Sequence, residues 1–319
     1  MEYVQLRHSD LTVSRLCMGC CPMGGYGWGE THEESFIAAI HTALEQGINF
    51  FDTADTYGLG QSEITLAKGL GNQRKDVVIQ SKFGVRAGRG RTVIDNAPDY
   101  IETALNGTLE RLHTDYLDLY VVHYWDQKTP IADIVGTLER LREKGKIRYF
   151  GISNIRSAHM TQWLPFAASL TTAQYEFSLS CRTHESELKE AARFLDVSPL
   201  TWGSLGQGIL TGKYDASASF GADDRRSREI YINFHGDKLR HNLQIVERLR
   251  TLAERYQRPV AACALRFILD YLDHSIVMVG IKNPDQLNAN AQAIGWTMQG
   301  QDLRLLDQIS RSPAMLEEI

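Results

Sequence analysis

Hydrophobic positions along the chain fall into short apolar runs that alternate with longer amphipathic segments. Eight runs have the length and composition of buried strands, and most segments between them have the three-to-four-residue hydrophobic repeat of helices. The predicted strands are Arg15–Cys21, Ile48–Asp52, Val77–Lys82, Leu117–His123, Ile147–Ser153, Thr172–Tyr175, Val197–Trp202 and Ser275–Gly280. Strands that alternate with helices in this way predict an α/β protein with a parallel sheet.

Eight strands in a chain of 319 residues favour a (β/α)8 TIM barrel. We expect Tyr3–Ser14 to form a β-hairpin before the first strand, and extra helices to follow at the C-terminal end. No linker rich in proline, glycine or serine is long enough to separate two domains, so residues 1–319 are predicted to form a single domain. A doubly wound sheet is the alternative arrangement.

Local capping signals predict where the helices begin. Thr31 is expected to cap the first helix, with Glu34 completing a capping box and Gly47 ending the helix. The other predicted helix starts are near Ser62, Pro98, Pro130, Ser157, His184 and Pro259.

Composition narrows the classes of function. A hydrophobic fraction of 43% and a charged fraction of 23% are typical of a soluble globular protein, and the net charge of −5 provides no basic field for nucleic acid. No apolar run reaches the roughly 18 residues of a membrane span, and the N-terminus lacks a signal-peptide pattern. We therefore expect a cytoplasmic protein that binds neither nucleic acid nor a membrane.

The five cysteines do not form a metal-binding pattern. Cys17, Cys20 and Cys21 are grouped, whereas Cys181 and Cys263 stand alone. A structural zinc site would need a second ligand pair at a matching spacing, and the sequence has none. Reduced thiols and no metal site are therefore expected.

Candidate chemistry lies at the ends of the predicted strands. Asp52 and Tyr57 follow the second strand, Lys82 ends the third and His123 ends the fourth. In a barrel these carboxyl-terminal ends meet on one face, where active sites are built. Taken singly, Asp52 could cap a turn, Lys82 could be a solvated strand end and His123 could be a core imidazole. Their arrival on adjacent strands favours an active site.

These residues form part of an ordered set of motifs that resembles the aldo-keto reductase family. The set comprises Asp52-Thr53-Ala54 with Tyr57-Gly58, Lys82, His123, Gly151-Ile152-Ser153-Asn154, Gln174, the Gly206–Lys213 loop and Gly280 with Gln286 and Asn290. The resemblance runs from about Leu6 to about Ile309. It implies an NADP-dependent oxidoreductase with a (β/α)8 barrel that reduces an aldehyde or ketone.

The residue types suit that chemistry. Hydride transfer to a carbonyl places negative charge on its oxygen, so the site needs a proton donor, which Tyr57 can be. The ammonium of Lys82 is expected to lower the pKa of Tyr57, and the carboxylate of Asp52 to keep Lys82 charged. His123 would orient the carbonyl by a hydrogen bond.

The hydride must come from a cofactor, and the first strand is not followed by a Rossmann fingerprint. The resemblance implies that Ser153, Asn154 and Gln174 hold a nicotinamide carboxamide and that Trp202 stacks on the ring. A pyrophosphate would lie on the loop that contains Ser204, Leu205, Gly206, Gln207, Gly208 and Lys213.

After the last strand, Gly280 and Lys282 would accept the 2′-phosphate end of the cofactor, with Gln286 and Asn290 at the adenosine. A lysine at this point favours NADP(H) over NAD(H). The alternative is that Lys282 is an ordinary solvated charge at a helix start.

Cys21, Trp28, Tyr124 and Trp125 are the predicted substrate-pocket residues. They would suit a sugar-derived or small polar aldehyde, or an aromatic one. The charged run Asp223–Arg228 is either a solvated face, a cover over the cofactor or a contact for an anionic substrate.

Two other functions fit the same residues. The protein could be an NADPH-binding regulatory subunit with slow turnover, or a class I aldolase that forms a Schiff base on Lys82. The sequence leaves the carbonyl substrate and the oligomeric state open.

Overall fold

The computed structural model describes residues 1–87 and 92–311. Residues 88–91 and 312–319 lie outside the described residues, so the end of the predicted domain lies outside them too. The strands are β1 (Tyr3–Gln5), β2 (Thr12–Ser14), β3 (Leu16–Gly19), β4 (Phe50–Asp52), β5 (Val78–Phe83), β6 (Val85–Ala87), β7 (Thr92–Ile94), β8 (Leu117–Val122), β9 (Ile147–Ser153), β10 (Leu170–Glu176), β11 (Ser198–Trp202) and β12 (Ile276–Gly280).

Eight of these strands form a closed parallel barrel in the order β3, β4, β5, β8, β9, β10, β11, β12. The barrel closes where β12 pairs with β3, with Gly280 opposite Gly19. The predicted (β/α)8 barrel is therefore confirmed, and the doubly wound alternative is wrong. The predicted N-terminal hairpin is also present, as the antiparallel pair β1–β2.

Alternation along each strand separates two apolar cores. Inward residues such as Cys17, Phe50 and Leu119 fill the barrel, together with Leu6 and Leu11 of the N-terminal hairpin. Outward residues pack under the helices in a larger cluster. The hairpin thus seals the amino-terminal end of the barrel, which leaves the carboxyl-terminal end for the reactive side chains.

The helices surround the barrel. They are α1 (Glu33–Glu45), α2 (Gln61–Leu70), α3 (Pro98–Leu112), α4 (Ile131–Glu143), α5 (Ser157–Trp163), α6 (Glu185–Phe194), α7 (Gly236–Tyr256), α8 (Val260–Tyr271), α9 (Pro284–Ala291) and α10 (Gly300–Ser310). Among residues 1–87 and 92–311, no helix combines the length and the apolar composition needed to cross a membrane.

The predicted cap of α1 is wrong. His32 occupies the N-cap position, and no side chain caps the helix. Glu33 instead accepts hydrogen bonds from Lys68 of α2, with the shorter nitrogen–oxygen distance 2.9 Å, and from Thr65. This packing of α1 on α2 places the first turn beyond Thr31, and Gly47 ends the region in a left-handed conformation with φ of 78°.

Two further differences affect the rim of the barrel. The first barrel strand ends at Gly19 rather than Cys21, because Cys21 begins a short 3-10 turn. The hairpin β6–β7, which follows the strand that carries Lys82, was not predicted.

A buried ionic cluster fastens α10 to α6 and α8 outside the barrel. Arg182 donates hydrogen bonds to Glu185 and Asp307, both at 2.7 Å, and to the hydroxyl of Ser310. Glu185 also accepts from the hydroxyl of Tyr271. We call these residues the α6–α10 ion cluster.

Candidate active site

The strand ends bring Asp52, Lys82 and Tyr57 together at the mouth of the barrel. The ammonium of Lys82 forms an ion pair with Asp52 and donates to the carbonyl of Thr53 at 3.0 Å. It also lies 3.1 Å from the hydroxyl of Tyr57. Lys82 and Asp52 are only 3% and 5% exposed, so each charge depends on the other for compensation.

Close contact between two loops fixes Tyr57. Gly58 has φ of 63°, and a Cβ at this position would lie 2.2 Å from the carbonyl oxygen of Gly24. Only glycine allows the loop after β4 to approach the loop after β3 this closely. This approach explains the glycine that directly follows the tyrosine.

The pKa of Tyr57 lies well above its ordinary value of 10.0, contrary to the expectation that Lys82 would lower it. Desolvation is the largest cause, and the Asp52 carboxylate adds to it. The pairing of Lys82 with Asp52 explains the difference, because the carboxylate offsets the ammonium charge at the phenol. Tyr57 therefore holds its proton, which is the state that a proton donor requires.

His123 lies one residue beyond β8 and faces Tyr57. The two rings meet edge to face with centroids 6.2 Å apart. The ring of Tyr124 stacks on the His123 ring, with centroids 5.0 Å apart. Burial, assisted by the charge of Lys82, lowers the pKa of His123 to about 3. Its Nδ1 has no hydrogen-bond partner among the described residues. The imidazole is thus neutral and has a ring nitrogen available.

A second group of polar side chains occupies the ends of β9, β10 and β11. Asn154 donates to the hydroxyl of Ser153 at 2.8 Å, and Trp202 donates its indole N–H to Asn154 at 3.3 Å. Ser153 in turn donates to the carbonyl of Gln174 at 3.2 Å. These four predicted nicotinamide contacts are therefore adjacent in space.

Gln80 joins this group to the ion pair of Lys82 and Asp52 and was missed by the sequence analysis. Its amide donates to Asp52, and its oxygen accepts from Gln174 at 2.6 Å. The signal was present, because Gln80 stands two residues before Lys82 and alternation places both on the same face of β5. Glu176 was missed in the same way, two residues after Gln174 at the end of β10.

The loop after β11 presents consecutive residues in the left-handed region. Gly206, Gln207 and Gly208 have φ of 56°, 55° and 102°, and such a run directs backbone N–H groups toward one side. Gln207 is held in this conformation by hydrogen bonds to Glu176, at 3.0 Å, and from Asn233. Ser204, Leu205 and Gly206 are largely enclosed, whereas Lys213 is exposed.

Lys282 follows β12, and its ammonium donates to the backbone carbonyl of Trp28. Burial and the charge of Arg226 lower the pKa of Lys282. Gln286, one turn into α9, accepts from the backbone N–H of Lys282 at 2.9 Å, while Asn290 is buried further along the helix. Gly280 is exposed at the end of β12.

The predicted substrate-pocket residues separate into two groups. Cys21 contacts Trp28, and burial raises the pKa of the Cys21 thiol. Tyr124 is 36% exposed beside His123. Trp125 turns away: its indole donates to the carbonyl of Thr129, and its ring packs against the buried Trp163. This packing removes Trp125 from the predicted wall.

The fold and the site define a barrel enzyme whose tyrosine can protonate a carbonyl oxygen beside a buried lysine. The sequence profile of the aldo/keto reductase family matches residues 15–311, and the chain belongs to this family. It is accordingly an oxidoreductase that acts on small carbonyl compounds with a nicotinamide cofactor.

Individual relatives cover nearly the whole chain. Aldo-keto reductase YhdN of Bacillus subtilis is 33% identical over 97% of this chain and 93% of its own length. NADH-specific methylglyoxal reductase of Escherichia coli is 27% identical over 98% of this chain and 99% of its own. Among solved structures, the glycerol dehydrogenase AKR11B4 of Gluconobacter oxydans has a TM-score of 0.87 at 29% identity, covering 96% of this chain and 94% of that one.

Proposed function

We propose that the protein reduces an aldehyde or ketone to the corresponding alcohol with NADPH, using Tyr57 as the general acid. One observation carries the proposal: a protonated phenol lies 3.1 Å from the buried ammonium of Lys82 and faces a neutral His123. A proton donor, a charge to stabilise its conjugate base and a neutral hydrogen-bonding ring are what carbonyl reduction requires.

The roles follow from these contacts. Reduced nicotinamide, when bound, supplies the hydride. The phenol of Tyr57 gives its proton to the carbonyl oxygen, and the O–H bond of the alcohol forms as the O–H bond of the phenol breaks. Lys82 stabilises the resulting phenolate because its ammonium is within hydrogen-bonding distance. His123 holds the carbonyl oxygen toward Tyr57, and Asp52 keeps Lys82 in place.

The residues present suit a nicotinamide cofactor. The amide oxygen of Gln174 is buried without a hydrogen-bond partner among the described residues, so it can accept from a carboxamide. Trp202, fixed through Asn154, offers a ring face for stacking, and the left-handed run at Gly206 offers N–H donors for a pyrophosphate.

The preference for NADPH is also a proposal. It is supported by Lys282, which follows β12 and lies close enough to Arg226 and Lys213 for their charges to lower its pKa. A 2′-phosphate would reduce the mutual repulsion of these cations. The name of the Escherichia coli relative, an NADH-specific reductase, makes this preference the part of the proposal most in need of measurement.

The substrate that we propose is a small polar or sugar-derived aldehyde. The names of two relatives, a methylglyoxal reductase and a glycerol dehydrogenase, support short oxygenated compounds. The polar groups of Tyr57 and His123 lie beside the aromatic ring of Tyr124, which stacks on His123. The cytoplasmic location predicted from the sequence stays a prediction.

The decisive experiment is turnover of NADPH, followed by its near-ultraviolet absorbance, with a panel of small aldehydes. Steady turnover supports the reductase. Tight NADPH binding with almost no turnover across the panel would favour the regulatory subunit. Borohydride trapping of a substrate on Lys82 would favour the aldolase.

A further inference from the structure

We propose that Arg225 selects carbonyl substrates that carry an anionic group, a carboxylate or a phosphate, a few bonds from the reacting carbon. The inference rests on the proposed reductase function and names the class of substrate. Arg225 lies in the segment 221–235, which follows β11 and contacts the loop after β3. We call this segment the arginine loop.

Three contacts hold Arg225 at the mouth of the barrel. Its backbone N–H donates to the carbonyl of Gly27 at 3.0 Å. Its guanidinium carbon lies 4.8 Å from the ring centre of Tyr26 and 5.7 Å from that of Trp28. Its side chain also packs so tightly on Gly27 that a Cβ there would lie 2.3 Å from the Arg225 Cγ. The cation is therefore fixed between two aromatic rings.

The guanidinium groups of the two nearby arginines, Arg226 and Arg228, have polar side-chain partners. Arg226 makes a two-pronged ion pair with Asp224 and donates to the hydroxyl of Tyr214. Arg228 donates to the hydroxyl of Tyr26 at 2.8 Å. Within the part of the chain that the structure describes, the guanidinium of Arg225 has neither an ion pair nor a side-chain hydrogen bond. A partly buried cation with its N–H donors unused is suited to an external anion.

The position of Arg225 relates it to substrate. Its guanidinium lies near the ring of Trp28, and the Cys21 thiol contacts the Trp28 side chain. Arg225 is close enough to Cys21 to oppose part of the rise that burial causes in the thiol pKa. Cys21 is in turn close enough to contribute to the pKa of Tyr57. Arg225, Trp28 and Cys21 are thus neighbours, and Cys21 is the member of this group that lies near Tyr57.

The other charges at the mouth also favour binding of an anionic substrate group beside Arg225. Glu176 ends β10 and is tied to Gln207, so an anionic group is repelled from that wall. The positive charge of Arg226 is compensated by Asp224. Arg225 therefore provides an uncompensated cation beside aromatic surface, where poor hydration strengthens its attraction for an anion.

The test compares matched aldehydes with and without an anion. One pair is 4-carboxybenzaldehyde and 4-methylbenzaldehyde, and the other is glyceraldehyde 3-phosphate and glyceraldehyde. The ratio of kcat/KM for anionic over neutral partner is measured for wild type, Arg225→Met, Arg225→Lys and the control Arg228→Met. We expect a ratio of at least ~10 in wild type for one pair, mainly through KM, as a charge-assisted hydrogen bond provides.

In Arg225→Met the ratio should fall to about one, Arg225→Lys should retain part of it, and Arg228→Met should keep it. The pair that shows the preference identifies carboxylate or phosphate as the anion. A wild-type ratio near one for both pairs, or an undiminished ratio in Arg225→Met, would overturn the proposal. Weaker NADPH binding in Arg225→Met with an unchanged ratio would show instead that Arg225 contacts the cofactor.

A binding measurement separates this proposal from the reductase function. Calorimetry should show that 4-(hydroxymethyl)benzoate binds the NADP⁺-loaded wild type at least ~10-fold more tightly than Arg225→Met. If this difference is found but no aldehyde turns over, the reductase proposal fails while the anion site stands. If both neutral aldehydes turn over but the difference is absent, the anion site fails while the reductase stands.

Discussion

Two of the buried ionic clusters in the described part of the molecule differ in completeness. The α6–α10 ion cluster joins helices outside the barrel, and the active-site cluster of Asp52, Lys82, Tyr57 and His123 occupies the barrel mouth. In the outer cluster Arg182 contacts Glu185, Asp307 and Ser310 and lies 4.8 Å from the ring centre of Tyr271. Both clusters bury charge, yet only the outer one satisfies its polar atoms internally.

The pKa values of two buried carboxyl groups, Glu185 in the outer cluster and Asp55 near the active site, shift in opposite directions. Burial would raise the pKa of Glu185, but hydrogen bonds from Lys189 and Tyr271 and the Arg182 charge outweigh it and lower the pKa to about 2. In the active-site region, burial and the charge of Glu63 raise the pKa of Asp55 to about 7. Compensated charges are typical of a structural tie between helices.

Some of the buried polar atoms without partners lie in the active-site region. Nδ1 of His123, Oε1 of Gln174 and Oδ1 of Asp55 are buried and have no hydrogen-bond partner in the described ranges. Each such atom costs about 1–3 kcal/mol of folding free energy. The unpartnered Nδ1 of His123 and Oε1 of Gln174 at the strand ends can be completed by a ligand, whereas the polar side chains around Arg182 are hydrogen-bonded to one another.

The largest expected effect is on turnover. Tyr57→Phe removes the proton donor while leaving the ring and the Lys82–Asp52 ion pair in place. Because general acid catalysis is worth about 10² to 10⁴ in rate, we expect kcat to fall by that factor. The melting temperature and the NADPH dissociation constant should stay close to wild type, and turnover within ~10-fold of wild type would remove Tyr57 from this role.

Breaking the α6–α10 ion cluster should lower the stability of the protein and leave its activity unchanged. Arg182→Met removes the buried cation from Glu185 and Asp307 but leaves Lys189 and Arg311 beside them, so we expect a loss of about 1.5–3 kcal/mol in unfolding free energy. Activity per folded molecule should be unchanged at low temperature. The control is Arg193→Met, an exposed arginine at the end of α6. Equal melting curves for the two variants would contradict the structural role of the cluster.

Lys282→Ala tests the cofactor preference. If the ammonium binds the 2′-phosphate, NADPH binding should weaken by about 1.5–3 kcal/mol, and NADH binding should change little. Fluorescence titration with both cofactors gives the two affinities, and Lys144→Ala, an exposed lysine after α4, serves as the control. Equal weakening of both cofactors would mean that Lys282 acts through its bond to the Trp28 carbonyl instead.

Asp55→Asn should alter the pH dependence of stability. The pKa of Asp55 is about 7 in the folded protein and about 3.9 when unfolded, so its favourable contribution is complete below about pH 4 and is lost as the pH rises to 7. We expect the variant to exceed wild type by about 4 kcal/mol at pH 8 and to match it near pH 4. A variant that is less stable than wild type at pH 8 would contradict the assignment.

Strand-end residues were predictable because alternation and topology determine them. Asp52, Lys82 and His123 end or follow adjacent parallel strands, so their convergence follows from the barrel itself. Gln80 could have been found by the same rule. The nicotinamide contacts implied by the family resemblance stay a prediction, and the structure places the four residues concerned, Ser153, Asn154, Gln174 and Trp202, within one hydrogen-bonded group.

The features that were not predictable depend on partners distant in sequence. Thr31 matched a local cap pattern, but contacts of Glu33 with α2 decide where α1 begins. Trp125 matched an aromatic wall, but the buried Trp163 draws it into the outer core. The pKa of Tyr57 depends on desolvation and on Asp52 as well as on Lys82, and only coordinates reveal that balance.

The central claim is that hydride passes from a nicotinamide to a carbonyl carbon at Tyr57, and isotope transfer tests it most directly. The enzyme is supplied with an aldehyde that turns over and with NADPH deuterated at C4 of the nicotinamide on either face. Mass spectrometry of the alcohol should find one deuterium on the former carbonyl carbon with one of the two labelled faces. An alcohol without deuterium from either cofactor, or consumption of the aldehyde without oxidation of NADPH, would contradict the account.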